Sequence, residues 1–477
     1  MRILVRSAIL LLLVPHACHA LPQVSPTSPD QPWHGSGEQS IESDAKNLRE
    51  PRFNPDPAKT YSLAELIDLA EAHNPETHVT WERARAQAEA LGIARSELYP
   101  TLAAAALSQT SRAEIFFGTQ FFRQTVQDLQ VALELNYTLF DFGARRGRIN
   151  AAAAEVLTAN FAFNDTHRNI IYRVEEAYYR LLNSIGQEDA ARASLLNAQT
   201  VQQASEERLA HGLATLPDVL EARSATAQAE YDLQAVVGDE EVARGDLATA
   251  LGTLPSAVIH VQPLDQLPTP DSISDSFDQA VQRALGQRPD LMQQVAEIRT
   301  ANARIKEARA AYYPALTLNV IPAGQSLYGA QQNLPTVHTA DLVGELSLNL
   351  SWTVFDGGAR KHRVAQAEAD RRAAEAQVHA TRDEIADQVW AAYSNLNTAF
   401  RQRTAAVSLL ESAGQSYDAV LESYNYGLRN LLDVTAAQRV LAQARSADVL
   451  ARTQVLTALA NLAFRTGDAI QLGATKP

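Results

Sequence analysis

The chain has 477 residues, enough for two or three ordinary domains, and 46% of them are hydrophobic against 20% charged. A net charge of −14 argues against a nucleic-acid partner, because phosphate binding wants a basic face. The single cysteine is Cys18, near the N-terminus, so no disulfide is expected to hold the mature chain.

Arg2 and Arg6 precede a short apolar run, Ala8 to Val14, and Ala20 offers a small residue for cleavage. Residues 1–20 are therefore expected to be a signal peptide, their apolar core too short to span as a helix. Pro15 stands where a lipoprotein signal usually carries Leu, which argues against lipid attachment at Cys18. Residues 21–60 are rich in Pro and Ser and predict an extended arm.

From Tyr61 the chain is written twice. Tyr99-Pro100 matches Tyr313-Pro314, Phe140-Asp141 matches Phe355-Asp356, Tyr178 matches Tyr393 and Gly252 matches Gly467. The offset is 214 before the strand region and 215 after it. So small a slip over so long a stretch indicates duplication of one structural unit. The first copy is expected over 61–252, the second over 276–467, with a Pro-rich connector at 253–275 and a tail at 468–477.

Each copy has one grammar. Helical segments, Ser62 to Asn74 and Glu76 to about Leu98 in the first copy, stop at Tyr-Pro. Strand patterns follow at about 101–141 and, in the second copy, about 315–356. The clearest runs from Glu345 to Asp356: Leu346, Leu348, Leu350, Trp352 and Val354 alternate with polar residues. Val131 to Phe140 does the same. Long helical patterns come next, at about 144–250 and 359–466, and the second runs from Ala359 to Tyr424 without proline. In the second copy Ile385, Val389, Ala392, Leu396 and Ala399, then Val407, Leu410, Gly414, Tyr417 and Leu421, form a coiled-coil seam. About 65 residues at ~1.5 Å each make a rod of about 100 Å.

Strand meets rod at Phe140, Asp141 and Gly143, and again at Phe355, Asp356 and Gly358. There the period must change from 2 to 3.6. Glycine supplies the backbone freedom, and the aspartate can accept from the first free N–H groups of the helix.

A bilayer core of ~30 Å is crossed by roughly 9–11 tilted strand residues. In lipid an open sheet edge has unpaired N–H and C=O groups, and about eight strands are needed to close a barrel. Four strands cannot close one; three chains would supply twelve. Soluble sandwiches and coiled coils share these patterns, so a water-soluble coiled-coil protein stays open on pattern alone. No catalytic set appears: His73 and His78 are five apart, and neither His-Glu-x-x-His nor a cysteine pair occurs. No cofactor or metal site is expected.

The stretch Arg288 to Leu318, the two Phe-Asp-x-Gly-Ala-Arg junctions, and the turns "HGLATLPDV" and "YGLRNLLDV" together resemble the TolC-like outer-membrane efflux factors of Gram-negative bacteria. The resemblance covers nearly everything from Tyr61 to Gly467. It implies a mainly α fold with a transmembrane β-barrel portion: a homotrimer with a twelve-stranded barrel on a long periplasmic helical barrel. It implies a passive channel in outer-membrane lipid, working with a periplasmic adaptor and an inner-membrane pump. A type I protein-secretion duct and, in a different class, a soluble periplasmic adaptor are the alternatives.

The resemblance also places a periplasmic gate at the turns. Tyr424 and Arg429 match its gate pair and Asp433 an acidic lumen position; the acid expected one turn on is Ala436 here. Asp218 holds the corresponding place in the first copy. Asp218 and Asp433 also stand where helix caps belong, and the two roles are compatible. Leu346, Leu348, Leu350 and Trp352 are expected to face lipid. Phe116, Phe117, Phe121 and Phe122 would line an outer constriction, anchor a loop, or bury within it.

Overall fold

The computed structural model describes residues 30, 37–47, 53–268, 270 and 276–468. The expected signal peptide, half of the Pro-rich arm and all of the C-terminal tail but Asp468 lie outside the described residues. One helix, α1 (Glu38–Asn47), belongs to a separate N-terminal unit. It corrects the expectation of an arm extended throughout. No proline falls between Pro32 and Pro51, so nothing there forbids a helical ladder.

The second unit begins with β1 (Thr60–Tyr61), α2 (Leu63–His73) and α3 (Pro75–Ser96). Ser62 and Glu65 make a reciprocal capping box that starts α2, and Pro75 sits at the first turn of α3. The strands β2 (Thr101–Phe117) and β3 (Gln120–Phe140) form a hairpin that leads into α4 (Ala144–Ala210), and α5 (Leu216–Ala250) returns. After β4 (His260–Val261) the order repeats as α6 (Phe277–Gln287), α7 (Pro289–Ala310), β5 (Ala315–Gln331), β6 (Val337–Ser351), α8 (Ala359–Asn425) and α9 (Leu431–Thr466). Both rods, α4 and α8, have 67 residues. Within the connector, β4 pairs in parallel with β1 and sets Ile259 beside Tyr61 in a core with Leu66, Tyr178 and Leu247. The second copy builds the matching core from Ala280, Ala284, Ile385 and Val389.

The four long strands form one antiparallel sheet in the order β2-β3-β5-β6. Its register lines like residues across all four strands. Leu102, Leu135, Val320 and Leu346 stand in one row; Thr101, Asn136, Asn319 and Ser347 stand in the next, on the other face. At 15 to 21 residues the strands exceed what a bilayer core requires. On β6 the apolar row runs from Leu350 to Ala340, and beyond it Tyr328 stacks on His338.

Two expectations shift. Trp352 lies one residue past β6. Its possible partner in β5 would be Pro314, which has no N–H, and the Trp352 indole donates instead to the Tyr312 carbonyl at 3.1 Å. The α8 seam does not change register. Ala406, Ala413, Tyr417 and Tyr424 are buried while Val407 is exposed, so positions 385, 392, 399, 406 and 413 keep one heptad. Arg403, at a seam position between them, disguises the repeat in the sequence.

The two copies are fastened through charge and close approach. Arg168 of α4 donates to the Phe464 carbonyl at the end of α9, and Arg288 grips Asp290 with two hydrogen bonds and reaches Gln388 of α8. Both guanidinium groups are buried. Burial opposes ionisation of Asp290, yet Arg288 and Arg168 outweigh it and hold the carboxyl below its ordinary range. Gly147 lets α4 touch α7: a Cβ there would meet the Glu307 backbone nitrogen at 2.8 Å.

Glu175 of α4 is buried, and its Oε2 has no hydrogen-bond partner among the described residues. Burial pushes its carboxyl up to about 7. A raised carboxyl value means the folded chain binds the extra proton, so this group costs stability as pH rises from the ordinary carboxylate range toward neutrality. Glu175→Gln is therefore expected to raise the thermal midpoint of the detergent-extracted protein at pH 8 and leave it nearly unchanged at pH 5. A midpoint difference independent of pH would contradict this.

Candidate functional site

The strand-to-rod junctions are built alike in both copies. Asp141 accepts from the Gly143 N–H at 3.2 Å, the Arg145 N–H at 2.8 Å and Arg145 Nε at 3.0 Å. Asp356 accepts from Gly358, Arg360 and Arg360 Nε at 3.1, 3.0 and 2.9 Å. The glycines that cap the rods have no side chain to offer, so the carboxylate two residues earlier satisfies the free N–H groups. Two consecutive residues take left-handed backbone at each turn: Phe142 and Gly143 with φ 51° and 97°, Gly357 and Gly358 with φ 64° and 91°. Phe142 bears a conformation that Gly357 adopts freely, and its ring stacks on Tyr313 at 4.8 Å and meets Phe140 at 4.6 Å. Phe140 ends β3, whereas Phe355 lies beyond β6 and is exposed.

At the opposite end the turns are also matched. Gly212 and Gly427 have φ of 72° and 75°, and the N–H groups of Leu213 and Leu428 bond back to the Arg208 and Ser423 carbonyls. Thr215 starts α5. Its N–H and hydroxyl both donate to Asp218, and these bonds hold the Asp218 carboxyl below its ordinary range. Asn430 starts α9 by accepting from the Asp433 N–H at 2.9 Å. Asp433 sits in the first turn, 3.6 Å from Arg429, and both side chains are more than one-third exposed.

The four expected gate residues thus do not form one cluster. Asp218 is held by its own helix start and Arg429 by Asp433. Tyr424 is buried and is met by a residue the sequence did not single out, Arg208, in the last turn of α4. The Arg208 guanidinium lies over the Tyr424 ring at 4.5 Å and donates to its carbonyl at 2.9 Å. This ties the end of one rod to the end of the other. The available signal was a cation in the final turn of a helix, where carbonyls are unpaired; its counterpart in the second copy is Ser423, so the duplication gave no hint. At the far end of the sheet Phe116 and Phe121 are exposed cross-strand partners with ring centroids 5.0 Å apart, which excludes their burial within the loop of a protomer.

A duplicated chain with one four-stranded sheet open at both edges and two 67-residue rods is built as one subunit of a larger assembly. The chain belongs to the outer membrane efflux protein family, whose model matches residues 66–253 and 280–468, one match per copy. Protein CyaE of Bordetella pertussis is 28% identical over 404 residues, covering 84% of this chain and 83% of that one. Outer membrane protein OprJ of Pseudomonas aeruginosa is 25% identical over 460 residues, covering 91% and 89%. Among solved structures, the outer-membrane channel OprN shares the fold with a TM-score of 0.75 at 20% identity, covering 88% of this chain and 93% of that one. The protein is an outer-membrane efflux channel of the TolC-like type, with rods reaching into the periplasm. Among the described residues no helix is long and apolar enough to cross a membrane.

Burial opposes ionisation of Asp141, but the N–H donors of Arg145 and Gly143 and the Arg145 guanidinium prevail and hold its carboxyl below the ordinary range. A lowered value contributes stability above the ordinary carboxylate range, lost as pH falls through the folded value. Asp141→Ala should cost about 1 kcal/mol at pH 7, as loss of a helix cap does. Thermal unfolding in detergent should show the gap shrinking below about pH 4. A gap that grows on acidification would contradict this.

Proposed function

We propose that three copies complete one twelve-stranded barrel and one helical duct. The carrying observation is that β2 and β6 are unpaired edges of opposite direction, so β6 of one copy can pair antiparallel with β2 of the next. Leu346, Leu348 and Leu350, in the rows of apolar residues, face lipid, and the rows of Asn, Ser and Thr face the lumen. Trp352 sits at the edge of this band, where an indole suits the interface. Residues 61–252 and 276–467 are the duplicated units, and 253–275 joins them; residues 1–20 are removed on export.

The duct conducts substrate delivered by an inner-membrane pump through a periplasmic adaptor and changes no covalent bond. The exposed leucines at the turns, Leu213, Leu216, Leu428 and Leu432, offer the adaptor an apolar contact. Threefold repetition brings Arg429–Asp433 pairs around one axis at the periplasmic mouth, with Asp218 beside them. Arg429 screens the Asp433 carboxylates from one another. Tyr424, gripped by Arg208, couples the two rod ends, so the mouth opens by moving helix pairs together.

Removing Arg429 leaves like charges facing across a narrow pore. Arg429→Ala trimers in planar bilayers should conduct several-fold more than wild type and favour cations, and Asp433→Asn should remove that preference. Unchanged conductance in Arg429→Ala would count against this gate, and recovery of the protein from the soluble fraction without detergent would count against the duct itself.

A further inference from the structure

The chain is acidic overall, yet one level of it is not. Four segments meet where the helices reach the sheet: residues 95–99, 141–148, 306–313 and 356–363. Together they carry nine Lys and Arg against four Asp and Glu. Each copy supplies four of these cations at matching positions, Arg146 answering Lys361 and Arg95 answering Arg309 among them. The carboxylates are matched less completely: Asp141 answers Asp356, but Glu97 answers Ala311 and Glu307 answers Ile93.

The carboxylates are already engaged. Asp141 and Asp356 bond to Arg145 and Arg360, and Glu97 and Glu307 to Arg148. Arg146 and Lys361 are exposed and have no carboxylate partner among the described residues. Their direction follows from helix geometry. Gly147 lies against Glu307 of α7, and Arg145 and Arg148 bond to Glu97 at the end of α3. At about 100° per residue, Arg146 falls on the face turned away from both neighbours. Lys361 has the same place in α8.

The height is equally defined. Both cations are three residues into their rods, roughly 4.5 Å beyond the junction. The headgroup layer adds about 5–8 Å to each side of the apolar core. Exposed aromatic side chains, Tyr99, Tyr313 and Trp352, stand at the same level. Arg146 and Lys361 therefore reach the phosphate plane of the inner leaflet.

We propose that Arg146 and Lys361 form a cationic collar, six side chains around the trimer, that binds anionic phospholipid headgroups of the periplasmic leaflet. The collar fixes how deep the barrel sits and resists vertical slippage when the rods are pushed or pulled from below. It rests on the membrane-spanning reading above and adds the lipid class.

The full-length protein is exchanged into mixed micelles of detergent with equal phosphatidylglycerol and phosphatidylcholine, and bound lipid is counted by native mass spectrometry. Wild type should retain phosphatidylglycerol over phosphatidylcholine by about fivefold per site, the worth of one basic side chain at an anionic surface. The preference should fall toward unity in the Arg146→Gln, Lys361→Gln double variant and survive in Arg146→Lys. Raising salt to about 0.5 M should weaken it in wild type. Equal retention of the two lipids by wild type, or an undiminished preference in the double variant, overturns the collar. The same spectrum reports subunit number. A double variant that no longer assembles would assign these cations to the subunit interface and also overturn it, whereas a wild type that never assembles fails the trimer reading instead.

Discussion

An open β-sheet edge cannot sit in hydrocarbon, because each unpaired N–H or C=O group loses water and finds no substitute. This protein has two such edges, β2 and β6, flanking a sheet of only four strands. With the apolar rows on one face of the sheet set in lipid, as proposed, the edges require a partner. Oligomerisation is thus not an embellishment of the fold but the condition on which it can occupy a membrane. The even strand count and alternating strand directions make every junction around the ring antiparallel.

Duplication explains how one chain can meet that demand with little new design. The hairpin register is the same in both copies, and the one-residue slip in the repeat is absorbed at the hairpin loops. Each copy converts strand to rod with an aspartate that serves the first N–H groups of the helix. Where the copies diverge, physical function diverges too. Phe142 accepts backbone strain in exchange for stacking, whereas Gly357 has neither; Arg208 joins the rod ends, whereas Ser423 cannot.

Much of the architecture was legible in the residues. Leu346, Leu348 and Leu350 alternate because one face must be apolar, and the sheet register confirms that they share it. The long proline-free patterns announced the rods. Other features depend on contacts that no local pattern carries. Trp352 continues the alternation in sequence but lies outside the strand, because its partner would be a proline. The seam of α8 looked broken at Arg403, since a long cation can occupy a heptad position that apolar counting rejects. Two-residue strands such as β1 and β4 leave no periodicity to detect. Of the candidate site, the junction aspartates followed from helix-end chemistry, whereas Arg208 was hidden because its partner is 216 residues away.

The internal repeat also specifies how neighbouring copies must meet. Within a protomer Leu135 of β3 stands opposite Val320 of β5. Moving these by the repeat offsets of 215 and 214 sets Leu350 of one copy opposite Ala106 of the next, apolar row against apolar row. With Cys18 replaced by serine, the pair Ala106→Cys and Leu350→Cys should oxidise in membranes to a covalent species of three chains, while either substitution alone should not. A chain that stays monomeric under oxidation, or one that closes the disulfide within itself, would contradict the shared barrel.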